Sequence, residues 1–195
     1  MDGTHTLLAR FIHWTFIPLY ACGILKQLDG LSQLEDRDLL LFETVFALVF
    51  LLIVVLRFAY MRRVPTFQGS LHPPHPLHGL LARTVHRGMY AALVLLPLSG
   101  LVIAGLYSRG ITSGVPQEGA LVVHEFSASL SYVMIATHVG AAIYSRVKGE
   151  GVWSSMVPVL KENGPNQHPL VRRVASLEQR LYRRVETMFQ QNKRR

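Results

Sequence analysis

The sequence contains few charged residues for its length. Only 16% of the 195 residues are Asp, Glu, Lys or Arg, whereas a soluble domain usually carries about 25%. There is one cysteine, Cys22, which excludes an intramolecular disulfide and implies no redox compartment. Internal repeats, glycine-rich phosphate loops and nucleophile elbows are also absent from the sequence. The composition is therefore not that of an ordinary soluble enzyme, and the length suits one compact domain.

Four apolar stretches are each long enough to cross a hydrocarbon core, which takes about 20 residues. Helices are favoured over strands because backbone groups in lipid must be paired within the segment. The sequence therefore predicts an all-α fold, in which an integral membrane four-helix bundle occupies residues 1–160 and a basic cytoplasmic tail occupies residues 161–195. The four predicted helices lie at about residues 7–27, 39–62, 86–107 and 120–147.

The charges between the helices predict which side of the membrane each loop occupies. From Arg57 to Arg87, both included, there are five arginines and no acidic residue, and residues 161–195 carry nine basic residues against three acidic ones. The segment from Lys26 to Asp38 has two basic and four acidic residues. Both termini are therefore expected on the cytoplasmic side.

Three histidines lie inside the predicted spans: His13 in the first turns of helix 1, and His124 and His138 in helix 4. A charged group at this depth costs about 2.5–3.5 kcal/mol, so each needs a partner or a function. His124 and His138 are separated by almost four helical turns, so they point to nearly the same face, about 21 Å apart along the axis. Neutral imidazole is a good axial ligand for haem iron, and the core of a helix bundle is a usual place for one.

Depth in the membrane predicts how these histidines pair. His13 and His138 both lie towards the cytoplasm and can face one haem, which we call the inner site. His124 lies near the outer surface, where no second histidine is available and Glu43 is the polar candidate. The alternative is that all three are isolated helix histidines that bond to serines or backbone carbonyls.

Several residues near the cytoplasmic side have two interpretations each. His86, at the predicted start of helix 3, is either an interfacial histidine or a neighbour of a haem propionate or quinone head group. Arg10, Arg83 and Arg87 either pair with propionates, because arginine matches a carboxylate in a bidentate manner, or anchor the chain at the inner membrane surface.

The loop before helix 3 contains three more histidines, His72, His75 and His78, among prolines that favour an extended segment. This segment is interpreted as a solvated loop, with metal binding as the alternative.

The tail is predicted to form an amphipathic helix over residues 169–191. Its apolar residues recur at helical spacing with arginines between them, which favours a position on the inner membrane surface. The alternatives are a partner protein and a solvated, partly frayed helix without a partner. The apolar stripe consists of Leu170, Val174, Leu177, Leu181 and Met188.

Four segments, taken in order, resemble the bacterial cytochrome b561 family, the small four-helix haem proteins that include superoxide:quinone oxidoreductases. They are RFIHWTF (10–16), VVLRFAYMRRVPTF (54–67), HRGMYAALVLLPLSGLV (86–102) and HEFSASLSYVMIATHVGAAIYSRVKGEGVWSSMVP (124–158). The resemblance covers about residues 8–158 and implies a protein of the bacterial inner membrane.

The resemblance implies two haems b held by four histidines. In the family pattern the helix 1 histidine pairs with the second histidine of helix 4, which corresponds here to His13 and His138. The helix 2 histidine pairs with the first histidine of helix 4, His124, but Glu43 stands at the helix 2 position. One haem b is therefore expected at the inner site. The outer haem is absent, five-coordinate on His124, or bound near Glu43.

The resemblance also implies electron transfer, with superoxide or a redox protein as donor and the quinone pool as acceptor, and hence an oxidoreductase or a plain electron carrier. Two alternatives are a haem-binding membrane anchor subunit of a larger dehydrogenase complex and a non-catalytic relative. The expected partners are membrane lipid and a quinone or redox protein, and no nucleic acid.

Overall fold

The computed structural model describes residues 7–28, 30–63, 76–157 and 159–193, and side chains up to residue 188. These residues form helices and connecting turns, with no β-strand among them, so the predicted all-α fold is confirmed. A short 3₁₀ helix (Leu31–Glu35) precedes the second long helix. The α-helices are α1 (Leu7–Leu25), α2 (Arg37–Met61), α3 (Pro76–Tyr107), α4 (Val115–Lys148), α5 (Val152–Met156) and α6 (Pro169–Lys193).

Helices α1 to α4 are long and apolar enough to cross a membrane, which confirms the four predicted spans. The mean hydropathy of α2 reaches 3.0, the highest of the four. Its start is fixed by Asp36, whose carboxylate accepts hydrogen bonds from the backbone N–H groups of Asp38 and Leu39. Such a cap satisfies backbone donors that the first helical turn leaves without partners.

Helix α3 begins ten residues earlier than predicted, at Pro76 instead of residue 86. Proline suits the first position of a helix because its missing N–H is not needed there and its φ is already helical. His78 therefore lies in the first turn of α3 and not in an extended loop, and His86 lies well inside the helix. The neighbouring His72 and His75 fall outside the described residues.

The chain divides into two compact units. The first consists of the described parts of residues 6–65 and 85–137, and the second of the described parts of residues 66–84 and 138–195. The boundary falls within α3 and α4. The core of the first unit combines side chains from α1, α2 and α3, namely Phe16, Phe50, Val54, Met89 and Leu93.

In the first unit, α1 and α4 are also joined by a polar contact. The hydroxyl groups of Tyr20 and Ser131 lie 2.7 Å apart. Ser131 is fully buried. A buried hydroxyl needs a hydrogen-bond partner, so this contact fixes α1 against α4 at the level of Ser131.

In the second unit, α6 is attached through the carboxylate of Glu178. This carboxylate accepts hydrogen bonds from Lys148 Nζ at 2.7 Å and from the hydroxyls of Tyr144 and Tyr182, both at 2.9 Å. His78 Nδ1 lies 3.8 Å from Glu178 Oε1. Burial alone would raise the pKa of Glu178, but the three hydrogen bonds outweigh burial and lower it. Burial and the bond to Glu178 raise the pKa of Tyr182 to about 12.

The apolar stripe of α6 remains exposed in the described part of the chain. The helix itself spans Pro169–Lys193, which confirms the predicted tail helix over residues 169–191. All five residues of the predicted stripe are exposed, namely Leu170, Val174, Leu177, Leu181 and Met188.

Candidate functional site

Helix α4 carries a polar stripe along its whole length. Seven residues make almost two helical turns, so side chains at this spacing lie on one face. The members of the stripe are Gln117, His124, Ser131, His138 and Ser145. The two histidines are half-buried, and the other three residues are buried, Gln117 and Ser131 fully. The two histidines are conspicuous in the sequence, and their spacing, a multiple of seven, also indicates the other three residues.

The imidazole of His124 is held by α3. Its Nδ1 lies 3.0 Å from the hydroxyl oxygen of Ser99, a buried residue. The Ser99 hydroxyl is itself within donating distance of the backbone carbonyls of Leu95 and Leu96, at 2.8 and 2.9 Å. A hydroxyl has one hydrogen, so when Ser99 donates it to one of these carbonyls, its oxygen can accept the ring N–H of His124, and the lone pair of the ring then lies on Nε2. A histidine that binds a metal usually has this arrangement.

The imidazole of His13 is held by α2 through Arg57. Arg57 Nη2 lies 2.8 Å from Nδ1 of His13, and the arginine side chain is only 6% exposed. Its guanidinium lies over the rings of Phe16 and Tyr90, with 5.1 and 5.9 Å from Cζ to the ring centroids. From the sequence, Arg57 is expected to be one of the cytoplasmic charges. Its helical position, seven residues after the core residue Phe50, indicates the buried face of α2.

The family model for prokaryotic cytochrome b561 matches residues 4–159. The chain belongs to the prokaryotic cytochrome b561 family. Membership implies membrane electron transfer through b-type haem, and together with the four spans it makes the chain a multi-pass bacterial membrane protein. The tail helix α6 lies beyond the matched residues. No curated protein and no solved structure matches the chain.

In this b561-family cytochrome, Glu43 of α2 forms an ion pair with Lys26, the residue that follows α1. Its Oε1 lies 3.8 Å from Lys26 Nζ and has no hydrogen-bond partner among the described residues. The Lys26 ammonium in turn lies 3.3 Å from the centroid of the Phe42 ring. The carboxylate of Glu43, which the sequence predicts to stand at the family's helix 2 ligand position, is therefore half-buried and lies near a lysine ammonium.

The two predicted inner ligands fall in different units, with His13 in the first and His138 in the second. Their pairing remains a prediction. The other predicted residues differ in exposure: His86 and Arg10 are half-buried, whereas Arg87 is exposed.

Of the predicted cluster His72, His75 and His78, the structure describes only His78, and it shows no metal site there. The described residues include no cluster of three or more His, Cys, Asp or Glu side chains able to hold a metal ion. This statement does not extend to His72 and His75. His78, which is described, contacts Glu178 and Tyr182 in the second unit.

The described residues of the first unit fit an axial haem ligand at His124. Its ring is oriented by a buried hydroxyl, and in the tautomer that donates Nδ1–H to this hydroxyl, Nε2 carries the lone pair that iron requires. At His13 the partner is a donor, Arg57, so Nδ1 accepts a hydrogen bond. Both histidines are thus positioned by a buried residue of a neighbouring helix.

Proposed function

We propose that this cytochrome transfers electrons between a donor at the outer membrane surface, superoxide or a redox protein, and the quinone pool. The single observation that carries the proposal is the hydrogen bond between Ser99 and His124, which leaves His124 Nε2 available as an iron ligand. The histidine motifs and the family membership support the same chemistry. The haem, when bound, supplies reversible one-electron oxidation and reduction.

For the inner site we propose His13 and His138 as the two axial ligands. Two histidines that both held the haem iron would favour electron transfer over oxygen binding. For the outer site we propose His124 as a ligand without a histidine opposite it, because Glu43 occupies the family's helix 2 position. Fewer than two fully low-spin haems per chain follow from this assignment.

We also propose that both termini lie on the cytoplasmic side of the bacterial inner membrane. The proposal is supported by the arginines between α2 and α3 and by the basic tail. In this orientation the Glu43 end of α2 and the His124 end of α4 lie near the outer surface. A donor would therefore meet the outer site first.

The proposal is tested by haem content and by electron transfer in proteoliposomes. A reduced-minus-oxidised spectrum of the purified chain should have b-type bands, and the haem-to-protein ratio should lie between one and two. Superoxide generated outside should reduce quinone faster in vesicles that contain the protein than in empty ones. A preparation that never takes up haem would contradict the proposal as a whole.

A second candidate is a membrane anchor subunit that receives electrons from a partner dehydrogenase or cytochrome. The observation that favours it is the exposed apolar stripe of α6 on a basic helix. Affinity purification of the full chain from its native membrane distinguishes the two functions. A redox protein that co-purifies in stoichiometric amount, and is lost when the stripe is mutated, would favour the anchor subunit. A chain that transfers electrons without any partner would favour the free-standing cytochrome.

A further inference from the structure

Arg57 is a buried cation without an anionic partner in the described part of the chain. Its guanidinium contacts the rings of Phe16 and Tyr90 and the imidazole of His13. Its Nε is inaccessible to solvent and has no hydrogen-bond partner among the described residues. The ion pairs between described residues all involve other side chains.

Such a charge is strongly unfavourable unless an anion compensates it. The two aromatic rings compensate it only in part, because a cation–π contact is weaker than an ion pair with a carboxylate. An ionisable side chain at membrane depth is also expected to have a functional partner. Arg57 therefore requires an anion from outside the described chain.

The hydrogen bond to His13 leads to the same requirement. A histidine that binds iron through Nε2 normally donates its Nδ1–H to an acceptor. Arginine has only donors. If His13 bound iron while Arg57 kept its present position, the Nδ1–H of His13 and an N–H of Arg57 would point at each other, and neither would have an acceptor. In a haem-loaded protein, the guanidinium needs an acceptor other than this nitrogen.

We propose that Arg57 binds an anionic oxygen group, and that this group is a propionate carboxylate of the inner haem. The proposal rests on the proposed function, because it takes His13 as a ligand of that haem. Guanidinium binds carboxylate and phosphate by the same bidentate geometry, so a lipid phosphate is the other source of this chemistry. Arg10 and Arg87, the arginines that the sequence suggested, are less buried than Arg57.

The test compares haem b with its dimethyl ester, in which both propionates are blocked. Each is titrated into the haem-free full-length chain in a phosphate-free detergent, and affinity is read from the Soret band. The wild type should bind haem b at least about tenfold more tightly than the ester, the range expected for hydrogen bonds to a charged group. The Arg57→Met variant should lose this preference. Arg62→Met, which changes an exposed arginine near the end of the same helix, should retain it.

A second measurement separates anion binding from a merely structural role. The haem-free Arg57→Met variant should unfold at the same temperature as the haem-free wild type or higher, because a buried uncompensated charge has been removed. A structural role predicts a lower unfolding temperature for this variant with and without haem. If Arg57→Met does not fold, Arg57→Lys keeps the charge and should retain part of the preference for haem b.

The outcomes distinguish failure of this inference from failure of the proposed function. If wild type and Arg57→Met both bind haem b and discriminate equally against the ester, the propionate assignment is wrong while the cytochrome function stands. If added phospholipid then stabilises the haem-free wild type but not the variant, the anion is a lipid phosphate. If phospholipid has no differential effect either, Arg57 has no anion site.

Discussion

The Ser99 hydroxyl on α3 lies 3.0 Å from Nδ1 of His124 on α4 and within donating distance of two backbone carbonyls of α3. Outer contacts of this kind orient a metal ligand and fix its tautomer, and their loss typically weakens metal binding about 10–100-fold. We therefore expect Ser99→Ala to lower haem affinity at the outer site by a factor in this range.

The measurement is a haem titration followed in the Soret band. Ser127→Ala is the matched control, because Ser127 is also buried, on α4, but donates its hydroxyl to the Val123 carbonyl of its own helix. If both serine variants lose haem to the same extent, Ser99 acts through packing and not through His124.

The outer site is expected to lack one of its two histidine ligands, because Glu43 stands where the family has a histidine. The Glu43→His variant should raise haem occupancy towards two per chain and add a second low-spin signal in electron paramagnetic resonance. Glu43→Gln, which removes the charge without supplying a ligand, should not. Two bis-histidine haems in the unmodified chain would disprove this assignment and require a histidine that we have placed elsewhere.

His13 and His138 are each expected to be indispensable for the inner haem. Replacing either with alanine removes an axial ligand, so the low-spin b-type spectrum of that haem should disappear. His86→Ala, which changes a half-buried histidine of α3, should leave it in place. An unchanged spectrum in His13→Ala would show that the two histidines do not form a pair.

The four spans could be predicted because each depends only on a long local run of apolar residues. Helix α2, with its mean hydropathy of 3.0, is the clearest case. The start of α3 was misjudged because His78 and the prolines around it are polar or helix-breaking in isolation. In the structure Pro76 occupies the helix start, and His78 finds partners on α6, a segment about one hundred residues away in sequence.

The histidines of the candidate sites could also be predicted, because an ionisable residue inside an apolar run is conspicuous. The residues that position them could not. Ser99 is an ordinary helix serine until α4 places a ring beside it, and Arg57 resembles a membrane-surface anchor until its burial is known. Such roles depend on contacts between helices, which periodicity along one helix does not specify.

The attachment of α6 through Glu178 is expected to depend on pH. The pKa of Glu178 is lowered in the folded protein from 4.5, so its ionised form stabilises the attached α6. That stabilisation is present in full above pH 4.5 and is lost as the pH falls through the lowered pKa. Hydrogen exchange of the α6 amides, corrected for the intrinsic rate, should therefore accelerate only below pH 4.5.

Glu178→Gln should give faster exchange in α6 already at neutral pH, because the bond to the Lys148 ammonium loses its charge partner. Glu186→Gln, a change at an exposed glutamate of the same helix, serves as the control. Exchange that is independent of pH and of Glu178 would mean that α6 is held by other contacts.

The exposed stripe of α6 is expected to lie against anionic lipid. Basic residues near an anionic surface contribute about 1 kcal/mol each, and an apolar stripe between them inserts at the interface. In a Cys22→Ser background, a cysteine introduced by Leu177→Cys should react more slowly with a membrane-impermeant thiol reagent in anionic nanodiscs than in neutral ones. Arg180→Cys, off the stripe, should show a smaller difference. Equal labelling of Leu177→Cys in both lipids would argue against the membrane as partner.

The polar stripe of α4 has a consequence for changes in chain length. Its five members share one face only because each is seven residues from the next. One residue inserted between His124 and Ser131 would rotate all later residues of α4 by about 100° around the helix axis and shift them by about 1.5 Å along it. Ser131, His138 and Ser145 would leave the face of His124 together. Helix α4 should therefore accept many single substitutions on its lipid side, whereas an insertion or deletion between the histidines removes several polar contacts in one step.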